Sequence, residues 1–247
     1  MLHENIAGGI HLFEQANVNC YIVQDEGGFM LVDAGLPAMW KPMMAALARL
    51  GHRPGEASAL VLTHAHFDHV GFAARLQREH GVPVYVHPGD AYLAAHPYRY
   101  RHERNRLFYP LRYPRCIPLL GRMALAGALN VKGVETVAVL HEGPAPDLPG
   151  KPVVIHTPGH TDGHCALHFP DRDTIVTGDA LVTLDPYTGF TGPHIVSAAA
   201  TADTRTALAS LSALAATGAR MLLPGHGEPD GGGIAAAVDR AVARGAT

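Results

Sequence analysis

Cysteine is scarce in this 247-residue chain: Cys20, Cys116 and Cys165 are odd in number and widely spaced, which excludes a disulfide scaffold. Charge is scarce as well, at 17% of residues with a formal net charge of −3, so the chain as a whole is no polycation for a nucleic-acid backbone. No apolar run approaches the roughly 18 residues that a membrane-crossing helix needs. The opening MLHENIAGGIHLFEQ has no basic stretch followed by an apolar one, so no secretory signal is visible. These absences lead to the expectation of a cytoplasmic globular protein without a membrane span, with nucleic acid disfavoured as a partner. What is present supports a core: 47% of residues are apolar, and the length suits one domain of large single-core size. Glycine and proline number 46 of 247, above the roughly 12% of average usage, which points to many tight connections. Histidine is the clearest excess. There are 17, against 19 lysines and arginines combined, and histidine is the commonest metal ligand.

Hydrophobic patterning predicts strands over Gly9–Phe13, Val18–Gln24 and Phe29–Asp33, then a helix from Pro37 to a stop at Gly51. Ala59–Thr63 reads as a buried strand, Gly71–His80 as a helix closed by Gly81, and Val82–His87 as another strand. Later strands are expected at Pro152–Thr157, His164–Phe169, Thr174–Thr177 and Arg220–Leu223, with helices over Thr201–Thr217 and Ile234–Arg244. Hairpins mixed with strand–helix alternation imply an α/β layered domain with mixed sheets. The stretch Gly89–Glu135 differs from its surroundings. Eight basic and three acidic residues leave it at +5, so the rest of the chain carries −8, and five of the eight tyrosines fall within it. It reads as an insertion on the scaffold, partly helical, broken by Pro97, Pro110, Pro114 and Pro118, and suited to act as a lid or substrate wall.

His64-Ala65-His66-Phe67-Asp68-His69 places four ligand-type side chains in six residues, directly after an apolar strand. In an extended segment, residues i and i+2 point to one side, so His64 and His66 can grip one ion. The chain then turns into a helix, and Asp68 and His69 face another direction. Three further ligand-type residues each follow a strand and a glycine: Gly159-His160, Gly178-Asp179 and Gly225-His226. Glycine allows close backbone approach, as loops crowding round a small centre require. Seven residues can therefore supply two sites: His64, His66 and His160 for one ion, Asp68, His69 and His226 for the other, and Asp179 between them. Nitrogen and carboxylate ligands without thiolate suit zinc, with iron or manganese as alternatives.

With T-H-A-H-F-D-H, T-P-G-H-T-D-G-H, T-G-D-A and P-G-H-G in this order, the sequence resembles the metallo-β-lactamase-fold hydrolases over nearly its whole length. The resemblance implies a single domain over residues 1–247, a four-layer αββα sandwich of two mixed sheets, with residues 89–135 as a lid-like insertion. It further implies two metal ions per chain, held as above with Asp179 bridging. The β-lactam-cleaving members usually carry a signal peptide and lack an acidic bridge at the position of Asp179, and this chain departs on both counts. The T-P-G-H-T-x-G-H stretch looks more like the glyoxalase II and acyl-homoserine-lactone lactonase branches. The 21 residues after His226 leave no room for a glutathione-binding domain. The lactonase tyrosine three residues after the bridging aspartate is Val182 here, with Tyr187 the nearest candidate. Related persulfide dioxygenases use a single iron, and the fold's RNA-processing nucleases add an RNA-gripping arm.

The function implied is hydrolysis of an ester, thioester or lactone in a small substrate with an anionic or acyl portion, by hydroxide formed at the metal pair. Phosphodiester cleavage and mononuclear iron chemistry on a persulfide are the alternatives, and β-lactam cleavage is expected to be weak or absent. Asp68 is placed to orient the hydroxide and pass on a proton. His164 can orient a ligand or a carbonyl, or simply begin a strand. Asp33 can hold a ligand histidine's free N–H, or form a turn. His87, His156 and His168 read as packed or surface residues, and Cys165 as a small core residue.

Overall fold

The computed structural model describes residues 1–247. A first sheet is built from β1 (Leu2–Ala7), β2 (Ile10–Gln15), β3 (Val18–Asp25), β4 (Gly28–Val32), β5 (Ala57–Val61), β6 (Val84–Val86) and β7 (Ala138–Val139), in that spatial order. Its first four strands run antiparallel to their neighbours, and β4 to β7 pair in parallel. The second sheet uses β8 (Gly143–Pro144), β9 (Val153–His156), β10 (Cys165–Phe169) and β11 (Thr174–Gly178). A separate hairpin, β12 (Val182–Leu184) and β13 (Thr191–His194), precedes the sheet's last strand, β14 (Met221–Pro224). The order is β14-β11-β10-β9-β8, with only the β11–β14 pair parallel. Both sheets are therefore mixed.

Strand alternation sorts side chains into three apolar layers. On β3, Val18, Cys20 and Ile22 face one way, toward α1 (Trp40–Arg49), while Tyr21 and Val23 face the other sheet. On β10, Cys165, Leu167 and Phe169 meet Tyr21, Met30 and Val61 across the middle layer, and Ala166 faces outward. Short helices α2 (Phe67–Val70), α3 (Ala73–His80), α4 (Ala91–Ala95) and α6 (Cys116–Leu125) lie on the first sheet's side of the chain, where Leu76, Leu93 and Met123 join the outer layer, while α5 (Tyr109–Arg112) reaches the C-terminus through the Tyr109 hydroxyl, which donates to the Thr247 carbonyl at 3.0 Å. On the second sheet's outer face, α7 (Thr204–Ala215) and α8 (Ile234–Arg244) bury Ala207, Leu211, Leu214, Ile234 and Ala237 against Ile175 and Leu222. Helix, sheet, sheet, helix is the four-layer arrangement expected. Truncating a middle-layer side chain such as Leu167 to alanine costs about 2–5 kcal/mol.

Several boundaries differ from the sequence expectation, each for a local reason. Strand β1 escapes the pattern because it is mostly exposed and shows no apolar alternation. The helix expected over Gly71–His80 begins at Ala73, since Gly71 and Phe72 turn the chain between α2 and α3, and Gly81 ends it at φ 71°. Helix α7 starts three residues later than expected, capped by Asp203, whose side chain accepts the Thr206 N–H at 2.9 Å. In the 89–135 stretch, Pro110 and Pro118 sit in the first turns of α5 and α6 instead of breaking them, where a missing N–H costs nothing. No helix is long and apolar enough to cross a membrane.

Candidate metal centre

The C-terminal ends of β4, β5, β9, β11 and β14 open on one edge of the two sheets, and the chain leaving each carries one part of the centre. His66 is the last extended residue before α2, so His64 and His66 leave on the strand side while Asp68 and His69 sit on the helix. His160 lies in the β9–β10 loop. Asp179 follows β11, and His226 lies two residues beyond β14. All seven are buried. Their potential ligand atoms form overlapping clusters, His64–His66–His160, His64–His69–Asp179 and Asp68–His69–His226, with the atoms of each within 4.8 Å of one another.

The glycines before these residues are required by space. A Cβ on Gly225 would lie 2.1 Å from Asp179 Oδ1 and 2.9 Å from the His69 ring. Gly178 adopts φ 49°, and a Cβ there would meet Thr63 Oγ1 at 2.7 Å and His164 Nε2 at 2.8 Å.

Hydrogen bonds fix which nitrogen of each histidine faces inward. The Thr63 hydroxyl donates to Asp33 Oδ2 at 2.8 Å, so it accepts the Nδ1–H of His64 at 3.1 Å. Asp33 Oδ2 also accepts the Nδ1–H of His69 at 2.9 Å. Thr201 donates to the Val196 carbonyl at 2.7 Å and so accepts from His160 Nδ1 at 3.2 Å. The Asn17 carbonyl accepts from His226 Nδ1 at 2.6 Å. Four imidazoles thus turn Nε2 to the centre, as metal-binding histidines do when their other nitrogen is held. His66 completes the set with Nδ1 2.9 Å from His160 Nε2.

Those nitrogens face carboxylate oxygens. Asp179 Oδ2 lies 3.9 Å from His64 Nε2, 3.5 Å from His160 Nε2 and 3.3 Å from His226 Nε2. Asp179 Oδ1 lies 3.5 Å from His69 Nε2, and Asp68 Oδ2 lies 3.4 Å from His226 Nε2. With neutral imidazoles this sets acceptor against acceptor, which a bound cation resolves. Bonds of about 2.1 Å to a tetrahedral ion would set ligand atoms about 3.4 Å apart, close to the separations found. Buried His64 Nε2, His69 Nε2 and Asp179 Oδ1 have no hydrogen-bond partner at all. The donor set therefore fits divalent cations.

The electrostatics say the same. Burial, reinforced by the neighbouring imidazoles, holds His64 and His160 well below the ordinary histidine value. Burial takes His66 down to about 4. Burial also works against a charged His69, yet Asp179, Asp33 and Asp68 together outweigh it and lift that group to about 9. His226 is likewise raised well above its usual value, because Asp179 and Asp68 overcome its burial. A site that draws protons onto buried imidazoles is short of positive charge, and no arginine or lysine pairs with these carboxylates.

The surroundings resolve the remaining residues. Asp33 both holds His69 and adopts φ 62°, so its two sequence readings are both true of it. His164 does not line the cavity. Its Nε2 accepts the N–H groups of Asp179 at 3.0 Å and Ala180 at 3.2 Å, and its Nδ1 pairs with Thr157 Oγ1 at 2.7 Å, so it sets the turn that carries Asp179. Cys165 is fully buried in the middle layer. Sequence reasoning missed Asp90, whose buried carboxylate accepts the Ala65 N–H, the Thr161 hydroxyl and the Gly163 N–H, tying the His64–His66 segment to the loop of His160. Of the roof it singled out Tyr187 and the tyrosine-rich stretch that contains Tyr100, but not Phe67, Pro186 or Val196. Phe67, Tyr100, Pro186, Tyr187 and Val196 close a small cavity over His66, Asp68, His160, Asp179 and His226. The Tyr100 ring lies 4.1 Å from that of His66, and Arg106 donates to the Tyr100 hydroxyl at 2.7 Å.

The chain and its fold have relatives among known proteins. The family model described as the metallo-beta-lactamase superfamily matches residues 14–226. A probable metallo-hydrolase, YflN of Bacillus subtilis (strain 168), is 30% identical over 240 residues, covering 90% of this chain and 85% of that protein. The solved structure of TTHA1623 in a di-iron-bound form superposes with a TM-score of 0.62 at 27% identity, covering 89% of this chain and 92% of that one. A metallo-beta-lactamase family protein of Thermus thermophilus, TTHA1429, gives a TM-score of 0.67 at 24% identity over 94% of this chain and 77% of that one.

Proposed function

Because the chain belongs to the metallo-β-lactamase superfamily and is a metallo-hydrolase by that kinship and its buried His/Asp cluster, we propose that it holds two divalent metals and cleaves an ester, thioester or lactone of a small acyl substrate. One observation carries the dinuclear reading: the Asp179 carboxylate lies within 3.9 Å of His64 and His160 on one side and of His69 and His226 on the other. His64, His66 and His160 would hold the first ion, and Asp68, His69 and His226 the second, with Asp179 shared. Zinc suits the donors. Iron is supported as an alternative by the di-iron form of TTHA1623. Cations held there supply a water of lowered pKa and a Lewis acid for a carbonyl oxygen.

The chain's own residues do the rest. Asp68, at the cavity floor, takes the proton released as water adds to the carbonyl and returns it to the departing oxygen or sulfur. Asp33, Thr63, Thr201 and the Asn17 carbonyl keep each imidazole in the tautomer that faces inward. His164 acts as a positioning residue by fixing the backbone of Asp179. Phe67, Tyr100, Tyr187 and Val196 exclude bulk water and offer an apolar wall to an acyl chain. No serine or cysteine lines the cavity, so attack by water suits it better than a covalent acyl-enzyme. The shared negative charge of Asp179 softens the pair as an electrophile, which favours alkoxide and thiolate leaving groups over the amide nitrogen of a β-lactam.

A panel on one metal-loaded preparation tests this: a simple thioester, a γ-lactone with an acyl tail, a bis-aryl phosphodiester and a chromogenic cephalosporin. The expected order of kcat/KM puts the thioester or lactone first and the cephalosporin last. A cephalosporin faster than every ester, thioester and lactone would overturn the assignment, and a dominant phosphodiester would transfer it to phosphodiester cleavage.

A further inference from the structure

A second group of ligand-type side chains lies outside the centre, where the two sheets meet. His87 follows β6 of the first sheet, His156 ends β9 of the second, and Glu142 sits on the crossing between β7 and β8. The imidazole rings of His87 and His156 stack with centroids 4.3 Å apart. Glu142 Oε1 lies 3.6 Å from His87 Nε2 and 3.6 Å from His156 Nδ1. All three ligand atoms fall within 4.8 Å of one another.

The hydrogen bonds show what this cluster lacks. His156 Nε2 lies 2.9 Å from the Asp162 carbonyl, which can only accept, so Nε2 donates there and Nδ1 is the nitrogen left to face Glu142. In the neutral imidazole that nitrogen is a lone pair set against a carboxylate oxygen, an arrangement that a cation relieves. The 3.6 Å separations approach the edge of about 3.4 Å that bonds of about 2.1 Å to a tetrahedral ion would set. Burial, and then the neighbouring His156 ring, hold His87 below its ordinary value, so its imidazole is neutral near pH 7. Its Nδ1 accepts the Gly89 N–H at 3.2 Å. Offering Nε2 to a cation moves the His87 proton to Nδ1 and releases that N–H, which is exposed and can turn to water.

We propose that His87, His156 and Glu142 form a further binding site for a divalent transition-metal ion, separate from the seven-residue centre, that fastens the two sheets to each other. Imidazole and carboxylate donors suit zinc or its first-row neighbours over calcium or magnesium. The three residues lie far apart in sequence, so a shared ion closes long loops and stabilises the folded state alone. The site also grips the loop of His160 from both sides. His156 bonds the Asp162 carbonyl, and His87 leads into the turn whose Asp90 holds Thr161 and Gly163.

The test compares the wild-type protein with His156→Gln and Glu142→Gln. Glu142 is a mostly exposed side chain, so its variant keeps the fold. Each protein is equilibrated with micromolar zinc, its zinc is counted by elemental analysis, and its Tm is measured with and without the metal. The wild type should carry one zinc per chain more than either variant. The variants should bind that ion more than about tenfold more weakly, a loss seen even for partners outside a coordination sphere, and should gain less Tm on zinc addition. Equal zinc counts and equal Tm gains in all three proteins would overturn the site. Failure of the seven-residue centre to load would lower all three counts together and leave the difference intact, so the two readings fail separately.

Discussion

The floor and the roof of the cavity are built on opposite principles. On the floor, four of the five imidazoles have a named partner behind them, and the loops that carry the ligand-type residues leave the ends of buried strands. The roof comes from the 89–135 stretch and the β12–β13 region. There Tyr100 is held by Arg106, by the Tyr187 hydroxyl at 3.4 Å and by the His66 ring, while Leu107, Phe108, Leu111, Leu125 and Leu129 remain exposed. The floor is rigid because metal chemistry tolerates little error in distance. The roof is built from aromatic side chains held to one another and to Arg106, next to apolar side chains left exposed. The difference predicts that floor substitutions change metal content and turnover, while roof substitutions change substrate affinity alone.

The largest effect should come from the shared carboxylate. Asp179→Ala is expected to lower kcat/KM by more than about 100-fold, beyond the usual loss for a residue outside the coordination sphere, and to reduce both metal equivalents. His226→Ala should remove about one equivalent. Identical metal loss in the two variants, read by elemental analysis, would contradict the sharing of Asp179. Next comes Gly225→Ala, whose added methyl would collide with Asp179 Oδ1. It should mimic the Asp179 variant in metal content while circular dichroism stays near wild type, and full metal retention would show that the close approach is not required.

Asp33→Asn removes the charge behind His69 and Thr63 without removing bulk, and should weaken metal binding by about 10- to 100-fold. A competition titration with a chelating dye measures it. Unchanged affinity would reduce Asp33 to a turn residue. The smallest effect belongs to the roof. Tyr100→Ala and Arg106→Ala should raise KM by about three- to tenfold, the scale of a lost aromatic or cation–π contact, with metal content unchanged. Point variants are better suited to this than deletion of the segment, because Tyr98 bridges the Ala128 carbonyl and the Val131 N–H and so belongs to the framework. If KM stays constant, the stretch is only a covering surface.

The same division explains what could be read from the chain. A layered α/β domain with mixed sheets and the boundaries of α8 and most core strands were legible, since buried elements must alternate in the sequence, while the αββα order came from the resemblance carried by the motifs. Strand β1, mostly exposed, and the two-residue strands β7 and β8 carry no such pattern. All seven ligand-type residues converge as the motifs suggested. His164 could not be placed from its spacing, because its partners are the backbone N–H groups of Asp179 and Ala180, which any residue could offer. Asp90 gave no signal for the same reason. It sits in an ordinary proline–glycine turn, and its value lies in what packs against it. Reading His87 and His156 as separate packed or surface residues missed that they stack on each other and share Glu142.

By itself, then, the sequence determined the donor set and the edge on which it gathers, because few side chains can bind a metal and close spacing after strands leaves them few places to point. The tertiary structure alone decided which nitrogen each histidine presents, what closes the cavity, and which distant groups become neighbours. The proton on His226 Nδ1 is fixed by a carbonyl 209 residues away. Such a contact depends on how two sheets stack, and no local pattern along the chain encodes it.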